Sequence, residues 1–585
     1  MDNTRSLIIF VLLIVAAIFY TDFIRWIRPP KAPIGQQTAH PAGSAEYPLP
    51  SAAAAPTAAG AASNPSSNPG AGAAGPTSTA STGGLEVGAP APPSLTGTVM
   101  APSPPRTVEV ETDLYKATFT AMGARLLSFR LNRYHETVLK DSLLYDVVVQ
   151  GERLPLGLVV VLGDKVLGDQ GVDYTTDAPA RVEVRPGATN TTITFNADTK
   201  EGLKLTKSFT FRNGSYLYDM NAEVGGATSA VKAVGFTMSQ PLTERSPQQG
   251  YRDYPALQAD VTGKVLNEYE KDLKKGLPPI EGDIAFAGFG DRYFLSAIIP
   301  KAPVKGELRM EYGGDEARAE IIFPGALKVS SAVYMGPKQL DLLEAANPNL
   351  DKAINFGWFG VLAIVFVRAL QLLHRFVPNY GWDIILLTLL VRLATLPASI
   401  KAQRSALRMQ RLAPQVAKIR EKYKDDSTQL NREMMELYKR NHVNPLGGCL
   451  PTALQFPILY GLYEALLNSI ELRHAPFIGW IKDLSAPDCL PIAWMPKVPG
   501  IECHGIPVLV LLMGASTFVQ QWMMPKGGDP NQQKMMMWMP LFFTVLFIAL
   551  PAGLSLYYFA SNVLGIIQQF FLNREFKQYA PVATP

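Results

Sequence analysis

Two hydrophobic patterns divide the chain into a β-rich part and a helical part. From residue 106 to about residue 337, apolar and polar residues alternate in short runs, which is typical of half-buried β-strands. Asn213-Gly214 lies between two such runs and predicts a two-residue hairpin turn, because both residues accept positive φ angles. The apolar residues expected on one face of this hairpin are Leu203, Leu205, Phe209 and Phe211, then Tyr216, Tyr218, Met220, Ala222 and Val224.

Similar alternating runs occur elsewhere in the same part of the chain. They are separated by turn residues, which is the pattern of an all-β sandwich. Together they predict a large antiparallel sandwich over residues 106–345, and the clearest further strands are Thr107–Glu111, Arg125–Leu131 and Thr191–Asn196.

Beyond Leu340 the apolar runs are longer and predict membrane-spanning helices. A further apolar run, Leu7–Tyr20, follows Arg5. A cleaved signal peptide is the rival interpretation, but no small-x-small site follows, so residues 1–28 are predicted to be an uncleaved anchor. Residues 29–105 are rich in Ala, Pro, Ser and Gly, which predicts a disordered tether. The other candidate spans are Gly381–Ile400, Leu450–Asn468, Pro507–Met523, Met536–Leu550 and Leu554–Phe571.

The distribution of positive charge predicts the topology. Lys401–Asn441 contains eleven Lys and Arg residues against five Asp and Glu residues, and such segments stay in the cytoplasm. If the N-terminus also stays in the cytoplasm, the anchor places the β-domain outside, and a single crossing by residues 381–400 must return the chain to the cytoplasm. Residues 346–380 are therefore predicted to form an amphipathic helix in the membrane interface. Its polar stripe consists of Arg368, Gln371 and Arg375, and Trp358 is an aromatic residue expected at the interface. The result is six spans, both termini inside and the β-domain outside.

Arg392 lies near the middle of the span 381–400. At about 1.5 Å per residue it is roughly 13 Å from the helix end at Lys401, which is near mid-depth in a hydrocarbon core about 30 Å thick. A charge left there costs at least about 2.5–3.5 kcal/mol, so the guanidinium is expected to face water or a partner. The alternative is an arginine that snorkels to the cytoplasmic interface, although its reach falls short of the whole distance.

Other polar residues lie in the spans at a similar depth. Thr388 shares a helix face with Arg392 at i and i+4, and a single Thr in a span usually bonds its own helix backbone. Several such residues around one arginine predict a wet cavity open to the cytoplasm. Glu464 lies nearer the outer face, so an Arg392–Glu464 pair would require about 8 Å of adjustment. The remaining polar residues of this set are Thr452, Gln455, Thr544, Ser561 and Asn562.

Residues 401–443 are predicted to form a cytoplasmic helical hairpin. Leucines and other apolar residues repeat at spacings of three and four, and Asp425-Asp426-Ser427 breaks the pattern and can cap the second helix. Two antiparallel helices in a small coiled coil fit this pattern. An ordinary charged loop attracted to anionic lipid is the alternative, and both can hold together. Interspersed acidic residues and the lack of stacking aromatics disfavour specific nucleic-acid binding. The basic residues of interest are Arg404, Arg408, Arg411, Lys418, Arg420 and Lys422.

Composition narrows the chemistry further. The 585 residues carry a formal net charge of +4, and 47% of them are hydrophobic, as expected for a membrane part joined to a soluble part. No CxxC, Cys/His cluster or phosphate-cradling glycine motif occurs, so no metal or other cofactor is expected. Cys489 and Cys503 share one loop, where they either form a disulfide in an oxidising compartment or remain free thiols. The β-domain contains the single histidine His135, which argues against acid–base catalysis.

Several ordered motifs resemble the YidC/Oxa-type membrane protein insertases of bacterial inner membranes, in their Gram-negative form. The resemblance covers nearly the whole chain except the tether. Three features depart from it: the Cys489/Cys503 loop, Glu464 at a place where an aromatic residue is expected, and the short tail 574–585. The motifs are Lys401-Ala402-Gln403, Asn444–Cys449, Ser469–Phe477, Asp483–Asp488, Asp529–Met536 and Pro551–Asn562, with the N-terminal MDxxR and Tyr334–Lys338.

The resemblance implies an insertase and chaperone that is not an enzyme and that inserts nascent membrane proteins, alone or beside the Sec translocon. Transmembrane helices three to six would lie within residues 444–573, and the outer domain would be a β-supersandwich. The hairpin would receive nascent chains, while the short tail makes ribosome binding weak or transient. A hydrophilic groove, open to cytoplasm and lipid, would attract polar substrate segments through Arg392. Its other residues would be Thr388, Thr452, Gln455, Thr544, Tyr557, Tyr558 and Asn562.

Two other classes of function remain as alternatives. A transporter or channel would need paired ionisable residues or broken helices along a complete path, and Arg392 alone is well placed for this. A membrane-tethered sugar-binding or mutarotase-like domain is suggested by the all-β part, but the lone His135 argues against its catalysis.

Overall fold

The structure is a computed structural model that describes Leu95 and residues 106–578, with internal gaps. The predicted anchor 1–28 and the tether, apart from Leu95, lie outside the described residues. The gaps are residues 140, 188–189, 243–254, 302–304, 425, 442–449, 498–502 and 524–529.

The segment from residue 107 to residue 337 forms the predicted β-domain. Its strands belong to a five-stranded sheet, in the order β4-β3-β2-β1-β7, and a thirteen-stranded sheet. The larger sheet runs β6-β5-β11-β17-β16-β14-β15-β18-β10-β9-β8, with β12 and β13 attached at β14. The strands are β1 (Thr107–Glu111), β2 (Tyr115–Thr120), β3 (Arg125–His135), β4 (Leu144–Asp146), β5 (Gly157–Leu162), β6 (Lys165–Gly168), β7 (Arg181–Glu183), β8 (Thr191–Asp198), β9 (Leu203–Phe211), β10 (Leu217–Gly226), β11 (Val231–Pro241), β12 (Ala256–Val261), β13 (Lys264–Glu268), β14 (Ile280–Gly290), β15 (Phe294–Pro300), β16 (Lys305–Gly313), β17 (Glu316–Pro324) and β18 (Lys328–Pro337).

The two sheets pack face to face through aromatic side chains. Phe119 on β2 lies 4.7 Å from Phe209 on β9, and Phe129 on β3 lies 6.1 Å from Tyr218 on β10, between ring centroids. Every apolar residue predicted for the inner face of the β9–β10 hairpin is buried. The mostly β architecture is therefore confirmed. One detail differs, because β1 and β7 pair in parallel rather than antiparallel.

The turn of the β9–β10 hairpin is wider than predicted. A two-residue turn at Asn213-Gly214 would place Thr210 opposite Leu217, whereas the ladder pairs Thr210 with Asp219. Of the two expected turn residues, Gly214 alone has a positive φ, +74°. The N–H of Gly214 donates to Oδ1 of Asp113 at 2.8 Å, so the loop tip binds the smaller sheet. This tertiary contact, which the local pattern cannot reveal, explains the wrong prediction.

A buried ion cluster links the start of β3 to the middle of β9. The Lys207 ammonium donates to the carbonyls of Gly123 and Leu156 at 2.8 Å and to Asp169 Oδ2 at 3.1 Å. Arg125 Nη2 lies 2.8 Å from Asp169 Oδ1. Burial lowers the pKa of Lys207 to about 8. Burial alone would raise the pKa of Asp169, but Lys207 and Arg125 hold it below its usual value.

The described residues beyond 338 are mostly helical, and one helix joins two predicted elements. Helix α4 (Tyr380–Lys422) runs unbroken through the expected junction at residues 400–401, although Pro397 lies inside the helix shortly before it. It begins after Asn379, whose side chain accepts from the N–H groups of Gly381 and Trp382. The helices are α1 (Glu270–Leu273), α2 (Leu340–Ala346), α3 (Gly360–His374), α4 (Tyr380–Lys422), α5 (Ser427–Arg440), α6 (Leu450–Asn468), α7 (Val508–Met523), α8 (Pro530–Phe547) and α9 (Ala552–Gln578).

Within the described residues, α4 is the one helix long and apolar enough to cross a membrane by itself. Shorter apolar helices are Gly360–His374, Val508–Met523 and Met537–Phe547. The six-span arrangement thus stays a prediction. Residues predicted for the polar stripe of α3 contact neighbouring acids: Arg368 pairs with Glu344 at 2.8 Å, and Gln371 donates to Glu471 at 2.9 Å.

Candidate functional site

Arg392 on α4 faces α9, where it binds a serine. Its Nε and Nη2 atoms both donate to Oγ of Ser561, at 2.9 and 2.7 Å. Gly565 lies one turn further along α9, and a Cβ there would approach Arg392 Nη2 to 3.3 Å and Gln520 Nε2 to 2.5 Å. The missing side chain at position 565 therefore makes room for both polar groups. In the part of the chain that the structure describes, no carboxylate forms an ion pair with Arg392.

A second contact joins α6 to the polar groups on α9. Gln455 Nε2 donates to the hydroxyl of Tyr557 at 3.1 Å. Tyr557 is 1% exposed and lies one helical turn before Ser561, with which it also interacts. Three helices, α4, α6 and α9, thus contribute a connected set of donors and acceptors. We call this set the polar row, and its members are Gln455, Tyr557, Ser561 and Arg392.

Other predicted groove residues bond elsewhere. Thr388 is fully buried and donates to the carbonyl of Ile384 at 2.6 Å, while Thr544 donates to the carbonyl of Pro540 at 2.7 Å. Both satisfy their hydroxyls within their own helix. The side chain of Thr452 lies outside the described residues.

Asn562 and Tyr558 have packing roles. Asn562 Nδ2 donates to Thr517 Oγ1 at 2.8 Å and to Ser516 Oγ at 3.0 Å, so it ties α9 to α7. The ring of Tyr558 lies 5.3 Å from that of Phe547. The contacts of Asn562 therefore lie away from Arg392, whereas Tyr558 lies close enough to interact with the charge of Arg392.

The sequence reasoning missed part of the site. The sequence places Ser561 among the polar residues of the spans but not in the predicted groove, and the prediction includes neither Gln520 nor Gly565. A signal was present, because Tyr557, Ser561 and Gly565 recur at spacings of four and so lie on one helix face.

The basic hairpin has an apolar seam and an exposed charged surface. Leu412 and Val416 of α4 and Leu430 of α5 are buried. Asp426 caps α5, because its Oδ1 accepts from the N–H groups of Thr428 and Gln429 at 3.0 and 2.9 Å. Among the predicted basic residues, Arg420 is half-buried, and the exposed ones are Arg404, Arg408, Arg411, Lys418 and Lys422.

The loop between α6 and α7 contains a disulfide that joins Cys489 and Cys503. It lies beside a short two-stranded sheet formed by Leu490–Pro491 and Gly505–Ile506. The neighbouring Asp488 accepts from Trp480 Nε1 at 2.8 Å and from the N–H of Leu509 at 2.5 Å. The loop is therefore fixed to the first turn of α7.

Comparisons with known proteins match both parts of the chain. Residues 372–579 match the family model "60Kd inner membrane protein", and residues 107–369 match "YidC periplasmic domain". A membrane protein insertase YidC of Nitratidesulfovibrio vulgaris is 37% identical over 497 residues, covering 81% of this chain and 88% of the relative. That of Citrifermentans bemidjiense is 34% identical over 477 residues, covering 80% and 85%.

Solved structures give weaker likenesses. A crystal structure of an active YidC insertase, with its first transmembrane domain resolved, is 18% identical, with a TM-score of 0.34, and the match covers 82% of this chain and 95% of that one. A galactose mutarotase-like protein from Lactobacillus casei is 13% identical, with a TM-score of 0.27, and covers 40% and 99%. On the two family models and the curated relatives, this chain belongs to the YidC family of membrane protein insertases, which are inner-membrane proteins with a periplasmic domain.

Proposed function

We propose that this insertase offers Arg392 to polar segments of nascent membrane proteins, in a groove bordered by α4, α6 and α9. One observation carries the proposal. Two N–H groups of the guanidinium donate to the single hydroxyl of Ser561, and no carboxylate within the described residues pairs with it. Its positive charge is therefore oriented but not neutralised, and it can attract an acidic substrate segment.

The energetics of insertion explain why such a group is useful. Burial of a substrate's apolar helix in lipid is favourable, whereas the passage of its polar flank through hydrocarbon is costly. A polar row partway into the bilayer shortens the apolar path. Gln455 and Tyr557 add hydrogen-bonding groups along that path, next to the charge of Arg392.

The positions of the other elements follow from the charge distribution. We place both termini and the basic hairpin in the cytoplasm, with six spans, because positively charged segments remain on that side. The exposed basic residues of the hairpin would contact nascent chains and anionic lipid. The Sec translocon is a proposed partner, and binding to the ribosome would be weak or transient.

Reconstituted insertion tests the groove. The Arg392→Ala variant in proteoliposomes should insert a substrate with an acidic translocated tail about tenfold less well, which corresponds to about 1.4 kcal/mol of lost attraction. Arg392→Lys should retain most activity, because charge matters more than the fork geometry. Arg368→Ala is the matched control, since Arg368 pairs with Glu344 on the surface.

The substrate provides a second comparison. A version whose tail acids are changed to amides should depend little on Arg392. If the alanine variant inserts the acidic and the neutral substrate as well as the unmodified protein does, Arg392 is not the attracting group. Site-specific crosslinks to a stalled nascent chain should form from Gln455 and less from the fully buried Thr388.

A further inference from the structure

The hairpin between β3 and β4 ends in exposed apolar side chains. Leu139 and Leu143 are 71% and 73% exposed, and Val138 is 48% exposed. We call these three residues the β3–β4 tip. Exposed apolar side chains that are close together in sequence on one turn can form a patch of the kind that marks a contact with a membrane or another protein.

The backbone of this turn is held by its own hydrogen bonds. The N–H of Glu136 donates to the carbonyl of Leu143 at 3.0 Å, and the N–H of Ser142 donates to that of Leu139 at 3.1 Å. The N–H of Thr137 donates to Ser142 Oγ at 2.9 Å. These bonds join the two sides of the turn, at residues 136–139 and 142–143, and leave the side chains of Leu139 and Leu143 exposed.

The base of the tip touches the membrane part of the chain. Arg473, shortly after the end of α6, lies over the rings of Tyr145 and Phe294, 5.3 Å from each centroid. These rings stack on each other at 3.9 Å. Arg473 Nη2 also donates to the carbonyl of Glu136 at 3.4 Å. The start of the turn thus lies at the periplasmic end of α6.

The direction of β3 brings the tip further towards the membrane. The strand begins at Arg125 in the ion cluster and ends beside Arg473, so it runs about 30 Å towards the membrane part. The turn then extends up to about 10 Å beyond the end of β3. In the same region of the membrane part, Trp382 and Ile478 are 46% and 55% exposed, as expected for side chains at a membrane interface.

We propose that the β3–β4 tip inserts Leu139 and Leu143 into the outer leaflet of the inner membrane and so anchors the periplasmic domain to lipid beside α6. A protein partner fits less well. A specific protein interface buries about 1,000 Å² or more, which three side chains on one turn cannot supply, whereas a lipid surface accepts a few apolar side chains to a depth of about 5–10 Å.

Quenching by lipid tests this anchor in the full chain. An environment-sensitive fluorophore is attached to the cysteine of the Leu139→Cys variant, which is then reconstituted in proteoliposomes. The variant also carries Cys449→Ser, and its Cys489–Cys503 disulfide is kept oxidised. The control is Leu327→Cys. Leu327 is 40% exposed in the turn before β18, and β18 runs from that turn to Pro337, where the chain continues into the membrane part. Position 327 therefore lies at the end of β18 that is far from the membrane part. The same chain without an added cysteine measures background labelling.

Nitroxide groups near the carbonyl end of the lipid chains should quench the fluorescence of the label at position 139 about twofold and leave the fluorescence at position 327 unchanged. These nitroxides lie at the depth that the side chains of an interfacial anchor reach. Leu143→Asp in the Leu139→Cys background should reduce the quenching. Equal quenching at positions 139 and 327, or unchanged quenching with Leu143→Asp, would overturn the proposal. It would also fall if the label were shielded in native membranes but not in proteoliposomes, because the partner would then be a protein.

Discussion

Replacing Asp169 by asparagine should strongly destabilise the β-domain. Its carboxylate is fully buried and contacts Arg125 at 2.8 Å and Lys207 at 3.1 Å. Asparagine fills nearly the same volume, so the substitution removes the charge without creating a cavity. Two cations would then remain in the core without their counter-ion.

The magnitude follows from the fate of those two cations. Removing one partner of a buried ion pair costs about 3–5 kcal/mol. Lys207 can escape part of this cost by losing its proton, because burial already lowers its pKa to about 8 and one pKa unit corresponds to about 1.4 kcal/mol. Arg125 cannot deprotonate. We therefore expect a loss of about 3 kcal/mol in the free energy of unfolding at neutral pH.

Pulse proteolysis in urea, on the full chain in detergent, measures this loss. None of the seven tryptophans lies between residues 106 and 345, so tryptophan fluorescence would not report on the domain. The matched control is Asp164→Asn, which breaks an exposed pair with Lys232 and should leave the urea midpoint unchanged. Lys207→Met in the Asp169→Asn background should recover about 1–3 kcal/mol, because it removes one unpaired charge. A midpoint for Asp169→Asn like that of Asp164→Asn, or no recovery, would refute the reasoning.

Four further predictions concern the loop and the groove. Burial, with a smaller effect of nearby Arg473, lowers the pKa of His474 from an ordinary 6.5 to about 3. The unfolded loop therefore binds a proton at a higher pH than the folded loop does, and the stability of the folded loop decreases as the pH falls below 6.5. His474→Asn, which tolerates the positive φ of 61° there, should reduce this loss, as measured by amide hydrogen exchange of the loop. Gly565→Leu should displace the guanidinium of the groove and impair insertion of acidic substrates with little change in expression. Ser561→Asp should impair the same insertion more than Ser561→Ala, because an added carboxylate competes with the substrate. Cys489→Ser opens a loop with a sequence separation of 14 residues and should cost up to about 3 kcal/mol locally, seen as faster proteolysis of the loop.

Alternation of apolar residues predicted strands such as β8 and β9, which bury one face. It gives no signal for β12 and β17, which are buried over nearly their whole length. Lys207 shows the limit of that pattern. It lies between Leu205 and Phe209 on the buried face of β9, where a lysine is unexpected, and its partner Asp169 is 38 residues away in sequence. A local pattern cannot show that a distant carboxylate will meet a lysine in the core, so the ion cluster could not be predicted.

The position of a residue along its helix can be predicted from the sequence more readily than the rotation of the helix. The position of Arg392 along α4 follows from the rise per residue, and its depth in the membrane stays a prediction. In the structure, Ser561 binds the guanidinium and Gln520 lies close to it. Ser561 and Asn562, however, are consecutive residues of one helix, so their side chains point about 100° apart. Ser561 contacts Arg392 whereas Asn562 contacts α7. Matching depth therefore selects candidates, and only helix rotation decides which of them share a groove.

The choice of a hydroxyl as the partner of Arg392 bears on how an insertase releases its substrate. A carboxylate at the place of Ser561 would neutralise the guanidinium and compete with acidic substrate segments. A serine accepts two N–H groups and fixes the direction of the side chain, yet it leaves the positive charge in place. The remaining attraction acts over a short distance in a partly polar site, where it is weaker than a buried ion pair. On the proposed function, a substrate segment can thus be attracted to Arg392 and then leave it.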